Sequence, residues 1–350
     1  MTVSDGGARG SDDKPARAAN IFDVARLAGV SHQTVSRVLN NVPNVRPATK
    51  ERVEKAIAQL RYSPSPAARA LVTRRTRTIG LITPGRSEYG PTSIAVNFNV
   101  AARAARFSVD TVSSLDDDPS GVRAIVEALL RQRVDAIVLV VTDIAVLEVV
   151  LGLEQSIPIV AVAATARRSP AIVSIDQYRG ARAATRHLVE LGHQEILHLA
   201  GPVEAPDAIE RLRGWQDEMN ANRLVVRDVR HGDWSARSGF ELGMEVGDIR
   251  PGTAVFAAND YMALGLMSAL HARGLRVPED VSIVGFDDVP EAAYLLPPLT
   301  TVRQDFASLG GLVMQKVLIA MEEPDSVTES TPLPTTLVVR ESTRAVQPEG

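Results

Sequence analysis

The sequence predicts a small all-α helix-turn-helix headpiece followed by a larger α/β core built on two doubly wound parallel sheets. Three observations carry this. Between residues 20 and 62 apolar residues recur at helical spacing in three short blocks, separated by turns containing Gly or Pro. From about residue 77 onward short β-rich runs alternate with helical patterns, which means parallel strands with helices on both faces, and the units are too many for one sheet. Charge divides at the same place. Residues 16 to 77 hold 12 Lys and Arg against 3 Asp and Glu, although the 350-residue chain has a formal net charge of -4. A basic end on an acidic chain points to nucleic acid as a partner of that end.

The first nineteen residues, rich in Gly, Asp, Ala and Ser, contain no apolar stretch of the kind a secretory leader needs and read as a disordered lead-in. Asn20 then caps a helix whose Ile21, Val24, Ala25 and Ala28 share one face, and Gly29 stops it. Ser31 caps a second helix with Val35, Val38 and Leu39 inside, ended by "NNVPNVRP". After Pro47, "ATKERVEKAIAQLRY" gives a third, lined by Val53, Ala56, Ile57 and Leu60. Three short helices with a tight Gly turn between the first two make a helix-turn-helix module over residues 20–63. A linker follows at 64–76, "PSPAARALVTRRT", where Pro66 suits the first position of a short helix.

In the core the strand candidates are "TIGLIT", "SVDTVSS", "AIVLVV", "IPIVAVA", "AIVSID", "EILHLAG", "VVRDVRHGD", "AVFAAND" and "SIVGFDD". The longest apolar runs are strand-sized, so neither membrane insertion nor secretion is expected. The absence of cysteine removes disulfides, thiolate catalysis and cysteine-held metals, and fits a cytoplasmic protein. His187, His193 and His198 fall on a helix, a turn and a strand in succession, not on one helix face, so no metal site is expected. No phosphate loop, "GxSxG" or "HExxH" is present, and no cofactor is expected. In open parallel sheets ligands bind beyond the carboxyl ends of the strands, and a crevice between two such sheets is a natural small-molecule site.

Six stretches, in sequence order, carry a family resemblance: "IFDVARLAGVSHQTVSRVLNN", "RVEKAIAQLRYSPSPAARAL", "HLVELGHQEILHLAGP", "GDWSARSGF", "AANDYMALGLMSALHARGLRVPEDVSIVGFDD" and "PPLTTVRQDF". From about Asn20 to Arg344 the chain resembles the LacI/GalR (lac repressor) family of bacterial transcriptional regulators. The resemblance implies a DNA-binding headpiece, a hinge helix at 64–76 and a periplasmic-binding-protein-like core at 77–344, with a tail at 345–350. The core's subdomains would span about 77–175 with 304–334, and about 176–303 with 335–344, joined by three crossovers. It implies a repressor of carbohydrate-utilisation genes, controlled allosterically by a mono- or oligosaccharide bound in the core cleft.

A recognition helix lays its N-terminal residues against base edges while phosphate contacts fix its register. Here those residues are Ser31, His32, Gln33, Thr34, Ser36 and Arg37. Gln33 can bond bidentately to adenine and Arg37 to guanine. His32 can donate to a base or a phosphate, whereas Ser31, Thr34, Ser36, Asn40 and Tyr62 suit phosphates, and Lys50 is a further phosphate candidate. The alternative, a polar face on a solvated bundle, leaves the local positive charge unexplained. In the hinge the resemblance implies that Leu71 enters the minor groove with Ala68 beside it and Arg69, Arg74 and Arg75 near phosphates. A short helix is unstable alone, so the hinge should fold only where two meet on DNA, and an effector that moves the subdomains would separate them. Two half-sites imply a homodimer on a pseudo-palindromic operator, and the tail "TRAVQPEG" lacks the leucine heptads of tetrameric family members.

The family's effector residues fall on Arg211, Asn259 and Asp287, with Trp234 as a stacking face and Gln304 and Phe306 bordering the cleft. Sugars need planar polar side chains for hydroxyls and an aromatic face for the ring. Taken singly, Asn259 or Asp287 reads equally well as a helix cap or turn residue. Two positions depart from the family: Ala163, where many members carry an aspartate, and Val140, where a polar amide can stand. Glu88, Tyr89 and Asp176 are the candidates to compensate. The rival reading is a non-catalytic sugar-binding protein or a sugar-processing enzyme on the same core. A secreted binder would need a leader and no basic headpiece. A hydrolase could pair Asp287 with Asp288, but neighbours on one strand point opposite ways, and no enzyme is expected.

Overall fold

The computed structural model describes residues 19–39, 45–62, 75–114, 119–152, 156–164, 169, 171–245, 247, 249, 252–323 and 328–346. The lead-in 1–18, Asn40 and the linker residues Ala68, Arg69, Leu71 and Arg74 lie outside them. The chain forms two compact units, 1–76 and 77–350.

In the first unit α1 (Ile21–Ala28) begins with a capping box. Asn20 Oδ1 accepts from the Phe22 and Asp23 N–H groups, and Asp23 accepts in return from the Asn20 N–H. Gly29, at φ 65°, closes the helix in the left-handed region that a residue with Cβ resists. Ser31 Oγ accepts from the Thr34 N–H at the start of α2 (His32–Leu39). In α3 (Pro47–Leu60) Pro47 occupies the first turn, where a missing N–H costs nothing. Val24, Val35 and Val53, one from each helix, meet with no exposure, and Ala25, Ala28, Val38 and Ala56 complete the core.

The second unit holds two sheets. The first contains β1 (Thr78–Pro84), β2 (Ser108–Ser114), β3 (Ala136–Val140), β4 (Ile159–Val162) and β5 (Ile172–Val173) in the order β2-β1-β3-β4-β5, all parallel. The second contains β6 (Ile196–Ala200), β7 (Arg230–His231), β8 (Ala254–Ala257), β9 (Ser282–Asp287), β10 (Thr300–Arg303) and β11 (Thr336–Val338) in the order β11-β10-β9-β8-β6-β7, with only β11 antiparallel. Period-two side-chain placement explains why the central strands are apolar throughout. Ala136, Val138 and Val140 face one core cluster, and Ile137 and Leu139 the other. Likewise Val255 and Ala257 face one side of the second sheet, and Ala254 and Phe256 the other.

Helices cover both sheets: α4 (Tyr89–Ala104), α5 (Pro119–Arg131), α6 (Ile144–Leu151), α7 (Gln177–Glu190), α8 (Pro206–Ala221), α9 (Ala236–Glu245), α10 (Asp260–Ala272) and α11 (Phe306–Glu322). α9 and α10 approach closely because a Cβ on Gly265 would run into the Ala236 carbonyl and one on Gly239 into the Met262 backbone. Sequence periodicity does not single out α6, whose "IAVLEVVL" is apolar on nearly every side. "VVRDVRHGD" is a strand only at Arg230–His231; it lies at the sheet edge, and Val225 is 73% exposed. Among the described residues the chain passes between the sheets after β5, after β10 and before β11. Ile175 and Leu333, on two of these passages, pair as a parallel bridge, with the Leu333 N–H donating to the Ser174 carbonyl and the Asp176 N–H to that of Leu333. No helix among the described residues is long and apolar enough to cross a membrane.

Candidate functional site

On the first unit, His32, Gln33 and Arg37 are exposed along α2. The Ser31 and Thr34 hydroxyls lie 3.0 Å apart, so both take part in the cap and present the helix start as one rigid turn. The His32 ring rests 5.2 Å from the exposed Phe22 ring. Tyr62 packs against the headpiece core. Lys50 lies 3.9 Å from Glu54, with half its side chain exposed.

In the second unit a cleft opens beyond the carboxyl ends of the strands. It has two adjoining compartments of about 450 and 420 Å³, both bounded by Gly90, Pro91, Val141, Thr142 and Asp207. Arg211, Trp234, Asn259 and Asp287 line the first, with Glu88 and Tyr89. Gln304 and Phe306 line the second. The six core residues singled out in the sequence therefore border one continuous space.

Four of its side chains close a hydrogen-bonded ring. Arg211 Nε donates to Gln177 Oε1 (2.9 Å), Gln177 Nε2 to Gln304 Oε1 (2.7 Å) and Gln304 Nε2 to Asp287 Oδ1 (2.7 Å), and Arg211 Nη2 returns to Asp287 Oδ1 (3.4 Å). Arg211 Nη1 also donates to the Ala258 carbonyl. All four residues are buried, so each bond holds a group that would otherwise be costly to leave unpaired. The ring joins α8 and β9 to two of the three passages between the sheets, since Gln177 opens α7 and Gln304 follows β10. Burial raises the Asp287 carboxyl from its ordinary value to about 6, outweighing the opposite pull of the Arg211 guanidinium and the Gln304 amide.

Backbone strain gathers at the same place. Trp234 has φ 71° and Asp287 φ 110°, conformations that L residues adopt at a cost of roughly 1–3 kcal/mol each. The Trp234 ring lies against Gly201, where a Cβ would collide with it, and 5.3 Å from the Arg211 guanidinium. Asn259 Oδ1 caps α10 by accepting from the Met262 N–H, while its Nδ2 donates to the Trp234 carbonyl and holds that strained turn. Asp260 is buried beneath the cleft and its carboxyl is raised well above the usual range, first by burial and then by Asp287. It accepts from Thr301 Oγ1 (2.5 Å) and the Val289 N–H (2.9 Å), which fixes the chain just after Asp287.

The opposite wall differs. Val140, Val141, Val162, Ala163, Ala164, Ile94, Phe306 and Leu309 form it, with hydroxyls only from Thr142 and Ser174 among its lining residues in the second compartment. Asp176 does not compensate for Ala163. Its carboxylate caps α7, accepting from the Arg179 N–H, and it lies 3.5 Å from the Arg179 guanidinium. The residue that sequence reading missed is Asp207, which borders both compartments, stands 4.0 Å from Arg211 and accepts from the Ala164 N–H across the cleft. Its signal was available: Asp207 precedes Arg211 by four positions, so both share one face of α8. Gln177 had no such signal, because its partners come from distant segments.

Asp287 and Asp288 part company. Asp288 takes Arg303 Nε and Arg340 Nη2, both at 2.6 Å, away from the Asp287 ring. The three histidines of the 187–198 stretch are tied into the fold: His187 pairs with Thr343, His193 with the Gly252 carbonyl and Ser282, and His198 lies in the core, donating from Nδ1 to the Phe256 carbonyl.

The profile described as "Bacterial regulatory proteins, lacI family" matches residues 20–65, and that of a periplasmic binding protein-like domain matches 185–343. The lactose operon repressor of Escherichia coli (strain K12) is 36% identical over 342 residues, covering 93% of this chain and 91% of its own length. The chain belongs to the LacI family. Another relative, the HTH-type transcriptional regulator CelR of Thermobifida fusca, is 35% identical over 338 residues, 90% of this chain and 94% of its own. A solved lac repressor dimer bound to operator and the anti-inducer ONPF superposes with a TM-score of 0.85 at 34% identity, covering 94% of this chain and all of that one. The CelR-cellobiose complex gives 0.67 at 31% identity, covering 93% and 99%. This LacI-family chain is thus a DNA-binding transcriptional regulator, with the helix-turn-helix headpiece and two-sheet core of that family.

Proposed function

We propose that this LacI-family regulator represses carbohydrate-utilisation genes and that a sugar-type effector in the core cleft changes its affinity for operator. The observation that carries the reading is the buried Arg211–Asp287 pair beside the Trp234 face, a planar charged pair and an aromatic surface meeting at the strand ends. One relative's ligand agrees in class, since CelR was solved with cellobiose. Arg211, Trp234, Asn259 and Asp287 hold the effector, and Gln304 and Phe306 border it.

The headpiece, residues 20–63, reads base edges with Gln33 and Arg37, while Ser31, Thr34, Ser36, Asn40 and Tyr62 position it on phosphates and His32 serves either role. The segment 64–76 acts as the hinge, with Ala68 and Leu71 at the minor groove. The core, 77–344, binds effector and holds two copies together. A homodimer on a pseudo-palindromic duplex follows from one recognition helix per chain. Selecting bound duplexes from a random pool gives the operator. Recovery of a two-fold-related pair of half-sites, and a shift in its binding on adding a sugar, is the expected result; sequence-independent binding or indifference to every sugar would contradict it.

A further inference from the structure

The first sheet has an end that the cleft does not use. Its strands are parallel, so the turns that precede β1, β2 and β3 lie side by side at the edge opposite the cleft. The Ser108 N–H donates to the Arg77 carbonyl and the Asp135 N–H to that of Thr78, both at 2.8 Å, which ties the three turns together. Each turn brings an arginine: Arg77 before β1, Arg106 before β2 and Arg133 before β3. Arg103 and Arg131 join them from the last turns of α4 and α5. All of these arginines are exposed.

Helix C-termini attract cations, which accounts for Arg103 and Arg131. The turns need another reason. Arg77, Arg106 and Arg133 have φ 52°, 63° and 62°, the left-handed region where Gly or Asn is the usual residue and a Cβ is penalised. Neutralisation within the chain is not that reason. Among the described residues no carboxylate pairs with Arg103, Arg106 or Arg131, whereas on the helices of the second sheet Arg182 and Arg186 share Glu218, and Arg213 and Arg237 pair with Glu210 and Glu241. Asp135 shares the edge and accepts from the Arg77 N–H. α11 starts beside α4, with the Tyr89 and Phe306 rings 5.8 Å apart, and so ends toward the same edge at Glu322 and Glu323. The arginines outnumber these carboxylates, on a chain whose formal net charge is -4.

The linker 64–76 leads directly into Arg77, so this edge is the part of the core to which the headpiece is tethered. Thirteen residues span at most about 45 Å when fully extended. A duplex held by the headpiece is therefore kept at high local concentration near the arginines, whose guanidinium forks match phosphate oxygens. We propose that this edge is a second DNA-backbone contact: Arg77, Arg103, Arg106, Arg131 and Arg133 bind phosphates of the duplex whose bases the headpiece reads. The inference rests on DNA binding by the headpiece and adds a sequence-independent contribution from the core.

Duplex affinity by fluorescence anisotropy, between about 50 and 200 mM salt, tests it on the full-length parent and on three double variants. In Arg106→Gly/Arg133→Gly the charge goes and the backbone is relieved, so the protein should melt at or above the parent's temperature. Its affinity for operator and for random duplex should fall alike, by about tenfold or more at the lowest salt, and the slope of log affinity against log salt should flatten by about two. Arg103→Gln/Arg131→Gln, on helix surfaces, should flatten it similarly without touching the turns. Arg106→Lys/Arg133→Lys keeps the charge and should keep the parent's slope. Folded neutral variants that match the parent in affinity and slope overturn the inference, leave headpiece recognition standing and turn the edge over to an acidic protein partner. A loss confined to the operator also overturns it. A parent that binds no duplex overturns both.

Discussion

The two walls of the cleft are built on different principles. The second-sheet wall is polar, and its groups already bond to one another through the Arg211–Gln177–Gln304–Asp287 ring, held under strain at Trp234 and Asp287. The first-sheet wall is hydrocarbon at β3 and β4 and leaves its hydroxyls to Thr142 and Ser174 in the second compartment. A preorganised polar wall sets orientation without reordering, and an apolar wall contributes affinity in proportion to the surface it covers. The polar wall also includes the passages between the sheets, because the ring takes one residue from each of two of them. The proposed effector site and two of the passages between the sheets thus share a few named bonds.

Removing Arg211 is the severest way to break this arrangement. Arg211→Ala leaves Asp287 and Gln177 without their shared donor, so sugar affinity should fall by about 100-fold or more, with roughly 3–5 kcal/mol lost from core stability. Calorimetry and denaturant titration measure both. A binding loss without destabilisation would show that the ring is not structural.

Gly201→Ala pushes a methyl group into the Trp234 ring and leaves the polar ring alone. Affinity for a sugar should drop about tenfold while the thermal midpoint moves by only a few degrees. The pH dependence is of similar size. Asp287 titrates at about 6 in the folded protein against an ordinary value of 3.8, so between those values the folded state holds a proton that the unfolded chain does not. Its contribution to stability is therefore greatest below about pH 4 and declines as pH rises through 6. A sugar hydroxyl donating to the ionised carboxylate reverses the sense for binding: affinity should rise about tenfold from pH 5 to pH 7.5. Arg211, Asp207 and Tyr89 face the same space, and Asp287→Asn should flatten the profile. Gln304→Leu removes one link while keeping bulk, with a cost of about 1–3 kcal/mol in stability. Its effect on sugar affinity should be the smallest of the series.

Much of this was legible in the sequence because it is local. Capping signals at Asn20 and Ser31, the turn at Gly29 and the continuous apolar runs of the central strands depend on neighbours along the chain. Arg211, Asn259 and Asp287 came from motif positions, yet what they do could not be read there. Asn259 serves both as a helix cap and as the brace for Trp234, and the second of these depends on a residue 25 positions away. Asp176 looked free to enter the cleft, but its place just before a helix made it a cap. Gln177 and Gln304 are separated by 127 positions and meet only because the chain crosses between the sheets more than once. No pattern of spacing announces such a pair.

Control of DNA binding by this cleft through its polar wall, as proposed, has a direct readout. The most direct measurement is operator affinity by fluorescence anisotropy, on the selected duplex, for the parent and for Arg211→Ala, each with and without the tightest-binding of cellobiose, lactose and methyl β-glucoside at saturation. Without glycoside the two proteins should bind operator alike. With it, the parent's affinity should change by about tenfold or more while that of Arg211→Ala stays where it was. Equal responses in the two proteins, or none in the parent despite a bound glycoside, would contradict the account.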